Sequence, residues 1–176
     1  DAVNVVHIAL SPHTATHIDA YYHYEADGVH PPEMPIDAYI GPAHVVTVDK
    51  ADGPLTPEDF SSLAEIDKVE RLLVHSPVSD YPTTEFAHPY PYVSHEFIRW
   101  LAEEKGTRLI GLDSPSMDDM NSKDLPGHHA LYQYNMVNIE LLLLRDVPDG
   151  VYELVALPLK IDGVCGTPIR AILRDL

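Results

Sequence analysis

The stretch H-T-A-T-H-I-D-A-Y-Y-H-Y, residues 13–24, places three histidines and one aspartate within eleven positions. These four residues, His13, His17, Asp19 and His23, all stand at odd positions, so an extended backbone would turn their side chains to one face. In a helix, positions 17 and 19 would point about 200° apart. The spacing therefore predicts a strand-like conformation from His17 to Asp19.

The same stretch predicts a metal site. A straight strand over residues 13–23 would span about 33 Å at about 3.3 Å per residue, too long for one compact site, so we expect bends near Ala15 and after Ala20. Three imidazoles and a carboxylate suit a divalent ion such as Zn²⁺, and a carboxylate can bridge two ions. A lone histidine is usually a surface or core residue, and only the combined spacing favours metal binding.

A second group of donors lies far downstream and contains His128, His129 and Glu140. Glu140 directly precedes four leucines, where an unpaired buried carboxylate would be costly. A cation would offset that cost, and one of the two histidines could point to the same place. Spacing alone does not choose between His128 and His129.

Composition limits the classes of partner. The formal net charge of −17 over 176 residues argues against nucleic acid and against an anionic membrane surface. No apolar run approaches the roughly 18 residues of a membrane span, and no signal segment opens the chain. A single cysteine, Cys165, cannot form an internal disulfide, which favours a cytoplasmic location and a metal site built from nitrogen and oxygen donors.

The remaining pattern predicts one α/β domain over residues 1–176. Buried strands are predicted at 45–48, 71–75, 108–113 and 152–159, and a further strand at 4–10. Helices are predicted after Thr56 with Pro57 in the first turn, from Ser94 to Lys105 before Gly106, and from Gly127 to Asn135. Because the chain opens on Asp1 in what reads as a strand, we expect a preceding segment in the full-length protein.

With these residues identified, the chain resembles the bacterial kynurenine formamidases of the metal-dependent cyclase-like amidohydrolase family. Residues 13–24 are similar to the family signature H-T-G-T-H-x-D-A-P-x-H-[FY]. The likeness continues through I-D-A-Y-I-G-P-A at 36–43, T-R-L-I-G-L-D-S-P-S-M-D at 107–118, S-K-D-L-P-G-H-H at 122–129 and D-G-V-Y-E-L-V-A-L-P-L at 149–159. It covers nearly the whole chain in the order of the family.

The resemblance implies a swivelling β/β/α fold, a homodimer and two divalent ions per subunit, with zinc first and manganese as the alternative. Its metal ligands fall on His13, His17, Asp19, His128 and Glu140, with Asp19 and Glu140 bridging both ions. Its acid/base histidine falls on His23, for which the competing interpretations are a further metal ligand and a residue that only contacts the ligands. The substrate-binding residues stay unassigned.

The implied reaction is the hydrolysis of N-formyl-L-kynurenine to formate and L-kynurenine. Alternatives are hydrolysis of a cyclic amide or imide such as isatin, and a metal-binding protein without catalysis. A serine hydrolase is disfavoured because no G-x-S-x-G elbow is present.

The chain also departs from the family in three places. Ala15 replaces the usual glycine, and would strain a backbone with positive φ. Tyr21 replaces the usual proline, and would add a large ring beside the site. The family also has a segment before the point that matches Asp1, with an aromatic residue that packs on the substrate.

Overall fold

The computed structural model describes residues 2–176, and a six-stranded mixed sheet dominates it. The strands of this sheet are β2 (Ile40–Thr47), β4 (Arg71–His75), β6 (Leu109–Leu112), β7 (Val137–Ile139), β8 (Gly150–Val155) and β10 (Ile172–Asp175). Their spatial order is β10-β8-β2-β4-β6-β7. Strands β2, β4, β6 and β7 are parallel, whereas β8 and β10 pair antiparallel at one edge.

Two small sheets accompany the large one. Strand β1 (His17–Asp19) pairs antiparallel with β9 (Gly166–Pro168), and β3 (Gly53–Leu55) pairs parallel with β5 (Pro91–Val93). Helix α1 spans His95–Lys105 and helix α2 spans Pro126–Gln133. Short 3-10 helices cover Tyr21–His23, Pro31–Glu33, Ile36–Tyr39, Pro57–Leu63 and Pro77–Asp80. The predicted α/β class, with mixed sheets and flanking helices, is confirmed.

The hydrophobic core lies on both faces of the six-stranded sheet. In β4, Leu72 and Val74 pack with the helices on one face, and Leu73 packs on the other. This alternation follows from the period of two along a strand. Burial of both faces explains why the three consecutive residues L-L-V at 72–74 are all apolar. The second face is covered by the segment that begins at β1, with Ile18 and Tyr39 fully buried. The candidate ligand segment is thus part of a core layer.

The helix termini follow the predicted signals. The Ser94 hydroxyl accepts a hydrogen bond from the Phe97 amide at 3.0 Å at the start of α1, and Gly106 ends it with φ +64°. Helix α2 ends at Gln133, and Asn135 adopts φ +53° shortly after it. That left-handed residue turns the chain into β7 and thereby directs Glu140 to the site.

The predicted α-helix after Thr56 is instead a 3-10 helix. The cap is as predicted, since the Asp59 carboxylate accepts from the Thr56 amide at 2.9 Å. The helix is then interrupted at Phe60, whose backbone has φ −120° and ψ 41°. The Phe60 ring is buried and stacks on Phe97 at 4.6 Å between centroids, so tertiary packing overrides the local helical preference.

The predicted strand at 4–10 is wrong, and the predicted strand at 152–159 is wrong in part. No strand forms within residues 2–16, and the apolar side chains of Val5, Val6 and Ile8 are exposed. A strand needs a neighbour to satisfy its backbone groups, and none lies alongside this segment in the described part of the chain. The predicted strand 152–159 ends at Val155, before Pro158, which cannot donate to a ladder.

None of the helices within residues 2–176 has the length and apolar character required to span a membrane.

Candidate metal centre

The centre forms where β1 crosses the carboxyl end of β7. His17 and Glu140 exchange two backbone hydrogen bonds, from the His17 amide at 3.2 Å and from the Glu140 amide at 3.0 Å. The chain bends before β1 at Ala15, with φ +55°, and after it through the 3-10 turn Tyr21–His23. The predicted strand geometry of His17 and Asp19 and both bends are confirmed, and Ala15 adopts the positive φ at which its methyl group is strained.

His17 and His128 each direct Nε2 between the same two carboxylates. Nε2 of His17 lies 3.4 Å from Oδ1 of Asp19 and 3.4 Å from Oε2 of Glu140. Nε2 of His128 lies 3.4 Å from Oδ2 of Asp19 and 3.5 Å from Oε1 of Glu140. These separations exceed those of good hydrogen bonds, about 2.7–3.2 Å. They suit donors that share an ion better than donors that bond one another.

Each of these imidazoles is oriented through its other nitrogen. Nδ1 of His17 donates to the carbonyl of Ala15 at 2.8 Å, and Nδ1 of His128 donates to Oδ2 of Asp118 at 2.6 Å. Metal-ligating histidines are held in this way, because a bond at Nδ1 fixes the tautomer and leaves Nε2 as the ligand atom. Asp118 in turn accepts from the amides of Gly127 and His128 at 2.7 and 3.1 Å.

The two carboxylates are buried with few hydrogen bonds. Apart from imidazoles, Asp19 accepts one bond, from Asn138 Nδ2 at 2.6 Å, and Glu140 accepts one, from the Met117 amide at 2.9 Å. Oδ1 of Asp19 is buried and faces only imidazole nitrogens, those of His13 at 2.8 Å and His17 at 3.4 Å. A carboxylate in this position costs several kcal/mol unless a cation compensates it.

A third buried carboxylate shows the contrast. Asp113 accepts four hydrogen bonds, from the amides and hydroxyls of Ser76 and Ser79, at 2.7 to 3.2 Å. Both of its oxygens have hydrogen-bond donors from the protein. Asp19 and Glu140 lack such partners, and the unsatisfied Nε2 of His17 lies beside them. The donor set therefore fits divalent cations with nitrogen and oxygen ligands.

The electrostatics of the protein alone point the same way. Burial lowers the pKa of His17, but the adjacent carboxylates of Asp19 and Glu140 outweigh it and raise that pKa to about 10. Burial likewise opposes protonation of His128, yet Asp118, Asp19 and Glu140 raise its pKa well above the ordinary value. The two carboxylates thus favour positive charge at this position.

His13 and His23 complete the set at its outer rim. Nδ1 of His13 lies 2.8 Å from Oδ1 of Asp19, and the rings of His13 and His23 are 4.1 Å apart. His23 is exposed, and its ring lies 6.1 Å from that of His128. Partial burial lowers the pKa of His23. All six predicted site residues are therefore brought together, with His23 on the solvent side.

The choice between the two adjacent histidines is clear in the structure. His128 is buried and faces Asp19 and Glu140. His129 points away and pairs with Glu25 through Nδ1 at 2.7 Å. Neighbouring positions on a helix differ by about 100°, so only one of the two can face the carboxylates.

Three neighbours of the site were not predicted from the sequence. Asn138 stands two residues before Glu140 on β7, and this same-face spacing was a usable signal. Asp118 lies in the motif at 107–118, and an acidic residue shortly before His128 was a usable signal for a group that orients the histidine. Cys165 places Sγ 3.1 Å from Nε2 of His13, so a sulfur atom lies at the edge of the nitrogen and oxygen donors. No local pattern marks Cys165, because tertiary pairing of β1 with β9 brings it there.

Tyr21 does not occupy the place expected for it. Its ring is buried in the core, and its hydroxyl donates to the Met136 carbonyl at 3.1 Å. Tyr24 comes closer to the centre, with its ring 5.0 Å from that of His128. The 3-10 turn rotates residue 21 inward, so this substitution fills the core rather than the space beside the ligands.

A separate cavity of about 550 Å³ lies beside the turn at residues 14–16. The segment 81–87 and the leucines 141–143 also line it. Its lining includes none of the six predicted site residues, so we do not assign the reaction to it.

Comparison with known proteins gives the family context. Residues 3–119 match the model of the Cyclase family, described as "Putative cyclase". The kynurenine formamidase of Salinibacter ruber is 40% identical over 174 residues, which cover 99% of this chain and 81% of that protein. The kynurenine formamidase of Bacillus mycoides is 37% identical over 177 residues, with coverage of 99% and 82%.

Solved structures agree with the fold. A structure described as a potential metal-dependent hydrolase with cyclase activity has a TM-score of 0.83 at 29% identity, covering 95% of this chain and 81% of that one. Isatin hydrolase A from Labrenzia aggregata, bound to benzyl benzoate, has a TM-score of 0.81 at 27% identity, with coverage of 95% and 75%. The cyclase-like fold expected from the sequence is confirmed.

The orientation of His128 by Asp118 can be tested through metal affinity. Asp118→Asn removes the negative charge and one of the two acceptor oxygens that hold Gly127 and His128, so we expect zinc affinity to fall about 10- to 100-fold. Competition with a chromophoric chelator measures it. Asp119→Asn is the matched control. The Asp119 carboxylate accepts from the Asn121 amide at 2.7 Å, and an asparagine oxygen can still accept this hydrogen bond. Equal affinity in Asp118→Asn and wild type would contradict this assignment.

Proposed function

We propose that this chain is a metal-dependent amidohydrolase that acts on N-formyl-L-kynurenine. The chain belongs to the Cyclase family, whose model it matches over residues 3–119. The products are formate and L-kynurenine. The observation that carries the proposal is the convergence of His17, Asp19, His128 and Glu140 from separate segments on one buried point. The similarity to kynurenine formamidases over 99% of the chain supports the choice of substrate.

In this proposal His13, His17 and Asp19 would hold one divalent ion, and Asp19, His128 and Glu140 would hold a second. Each set has donor atoms close enough to share one ion; Asp19 belongs to both sets, and Glu140 also faces His17. When bound, the ions supply a water nucleophile ionised near neutral pH and a Lewis acid for the carbonyl oxygen. Zinc is the ion we propose, with manganese as the alternative, because nitrogen and oxygen donors accept both.

The protein itself supplies orientation and proton transfer. Asn138 and the Met117 amide fix the carboxylates of Asp19 and Glu140, so the ligand atoms are held before substrate binds. His23 stands at the solvent-facing side, where an incoming formamide would approach. Its imidazole accepts a proton from the attacking water and returns it to the aniline nitrogen as the C–N bond breaks.

Isatin hydrolysis is the second candidate reaction. The isatin hydrolase from Labrenzia aggregata shares the fold at 27% identity, below the 40% shared with the Salinibacter ruber formamidase. Sequence similarity therefore favours the formamide. A metal-binding protein without catalysis is the third possibility, and the assays below separate all three.

We also propose that the protein is a cytoplasmic homodimer that takes a small-molecule substrate. The single cysteine supports a reducing compartment, and the resemblance of the sequence to the formamidases supports the dimer. Light scattering on a sizing column measures the mass in solution directly.

The reaction is tested by kynurenine release from N-formyl-L-kynurenine, with isatin as the comparison substrate. We expect turnover of the formamide that is lost on chelation and restored by zinc, because the buried carboxylates need their cations. Higher kcat/KM on isatin would move the assignment to the cyclic amide. Zinc binding without turnover of either substrate would support the non-catalytic alternative.

His23→Ala tests the acid/base role separately from metal binding. We expect turnover of N-formyl-L-kynurenine to fall about 100-fold or more, as for removal of a general acid or base, while the zinc content per protein stays that of wild type. His129→Ala is the control, since His129 pairs with Glu25 outside the ligand set. Loss of zinc in His23→Ala would identify His23 as a ligand, and unchanged turnover would refute its catalytic role.

A further inference from the structure

The ring of His13 contacts two different donors through its two nitrogens. Nδ1 lies 2.8 Å from Oδ1 of Asp19, and Nε2 lies 3.1 Å from Sγ of Cys165. The thiol is the only one in the chain. His13 therefore stands between the buried carboxylate centre and a half-buried cysteine at its rim.

His23 belongs to the same rim. Ligand atoms of His13, His23 and Cys165 all lie within 4.8 Å of one another. Two imidazole nitrogens and one sulfur are a donor set for borderline or soft ions, because a thiolate selects Zn²⁺ and Cd²⁺ over hard ions such as Mg²⁺. This set shares only His13 with the ligands proposed above.

The orientation of His13 points to an ion on the cysteine side. A metal-ligating histidine commonly donates its second N–H to a carboxylate and so presents the opposite nitrogen to the metal. Oδ1 of Asp19 is buried and lies 2.8 Å from Nδ1 of His13, within hydrogen-bond distance. Asp19 is thus placed to accept from Nδ1 and leave Nε2 as a ligand atom beside Cys165 and His23.

The backbone holds this arrangement in place. The Cys165 carbonyl accepts from the Ala20 amide at 3.0 Å, directly before β9 pairs with β1. A Cβ at Gly166 would lie 2.5 Å from the Ile18 carbonyl and 3.1 Å from Cε1 of His13. Glycine at 166 thus lets β9 approach closely enough to bring Cys165 against the His13 ring.

We propose that His13, His23 and Cys165 form a separate site for a thiophilic divalent ion, such as Cd²⁺ or zinc in excess. Binding replaces the thiol proton by the metal ion and releases that proton to solvent. An ion here occupies His23 and withdraws His13 from the carboxylate centre. The site is therefore inhibitory, and this last consequence rests on the function proposed above.

Cadmium titration of the zinc-loaded protein tests the site by spectroscopy, without reference to activity. A thiolate bound to Cd²⁺ gives a charge-transfer band in the ultraviolet. We expect this band to saturate at about one equivalent of Cd²⁺, because the chain has one thiol. The band is expected to be absent in Cys165→Ser. In His23→Ala the midpoint of the titration is expected to rise at least about tenfold, the effect of losing about 1.4 kcal/mol of binding.

His129→Ala serves as the control histidine and is expected to titrate as wild type does. No thiolate band in the wild-type protein would overturn the proposal. The same midpoint in wild type and His23→Ala would also overturn it, because Cys165 would then bind without the histidine.

The inhibitory consequence is measured on formamide hydrolysis. We expect Cd²⁺ to inhibit the wild-type enzyme at the concentrations that produce the band, and Cys165→Ser to need at least about tenfold more, each relative to its own uninhibited rate. Equal sensitivity would refute inhibition through this site. Absence of any turnover would count against the proposed function alone, since the spectral titration still decides whether the site exists.

Discussion

Two buried carboxylates that each accept only one hydrogen bond from an amide are the constraint on which the rest of the structure depends. Asp19 and Glu140 face the Nε2 atoms of His17 and His128 at 3.4 to 3.5 Å. Their burial is unfavourable unless positive charge lies between them. The protein tolerates this cost where strand β1 crosses the end of β7. The same unfavourable burial makes this point suited to binding metal ions.

The architecture is arranged to bring distant donors to that crossing. The carboxyl end of a parallel strand is where α/β proteins commonly place ligands, and Glu140 follows β7 there. β1 lies across this end through its paired hydrogen bonds with Glu140, while helix α2 supplies His128. The outer contacts, Asp118 on His128 and Asn138 on Asp19, hold the ligand atoms rigidly, as a catalytic centre requires.

Much of this was predictable from the sequence because local rules are decisive in it. The odd-numbered spacing of His17 and Asp19 indicated strand geometry, and the caps Ser94 and Gly106 fixed α1. The choice of His128 over His129 needed the family resemblance at the sequence level, because adjacent helical positions look alike until the helix is docked. The 3-10 conformation around Phe60 escaped prediction, since packing against Phe97 determines it.

Cys165 shows the limit of local patterns most clearly. It stands far from the histidines in sequence, and only the β1–β9 pairing places its thiol 3.1 Å from His13. Tyr21 shows the converse, since its position within the motif suggested a residue beside the ligands, whereas the turn buries it in the core. Both outcomes depend on long-range contacts that spacing does not encode.

The central claim is that the buried carboxylates share metal ions with the surrounding histidines. An anomalous difference map from crystals grown with zinc, recorded above and below the zinc absorption edge, tests it most directly. The account predicts two peaks, one among His13, His17 and Asp19 and one among Asp19, His128 and Glu140. A well-ordered site without a peak at either position, in protein that turns over its substrate, would contradict it.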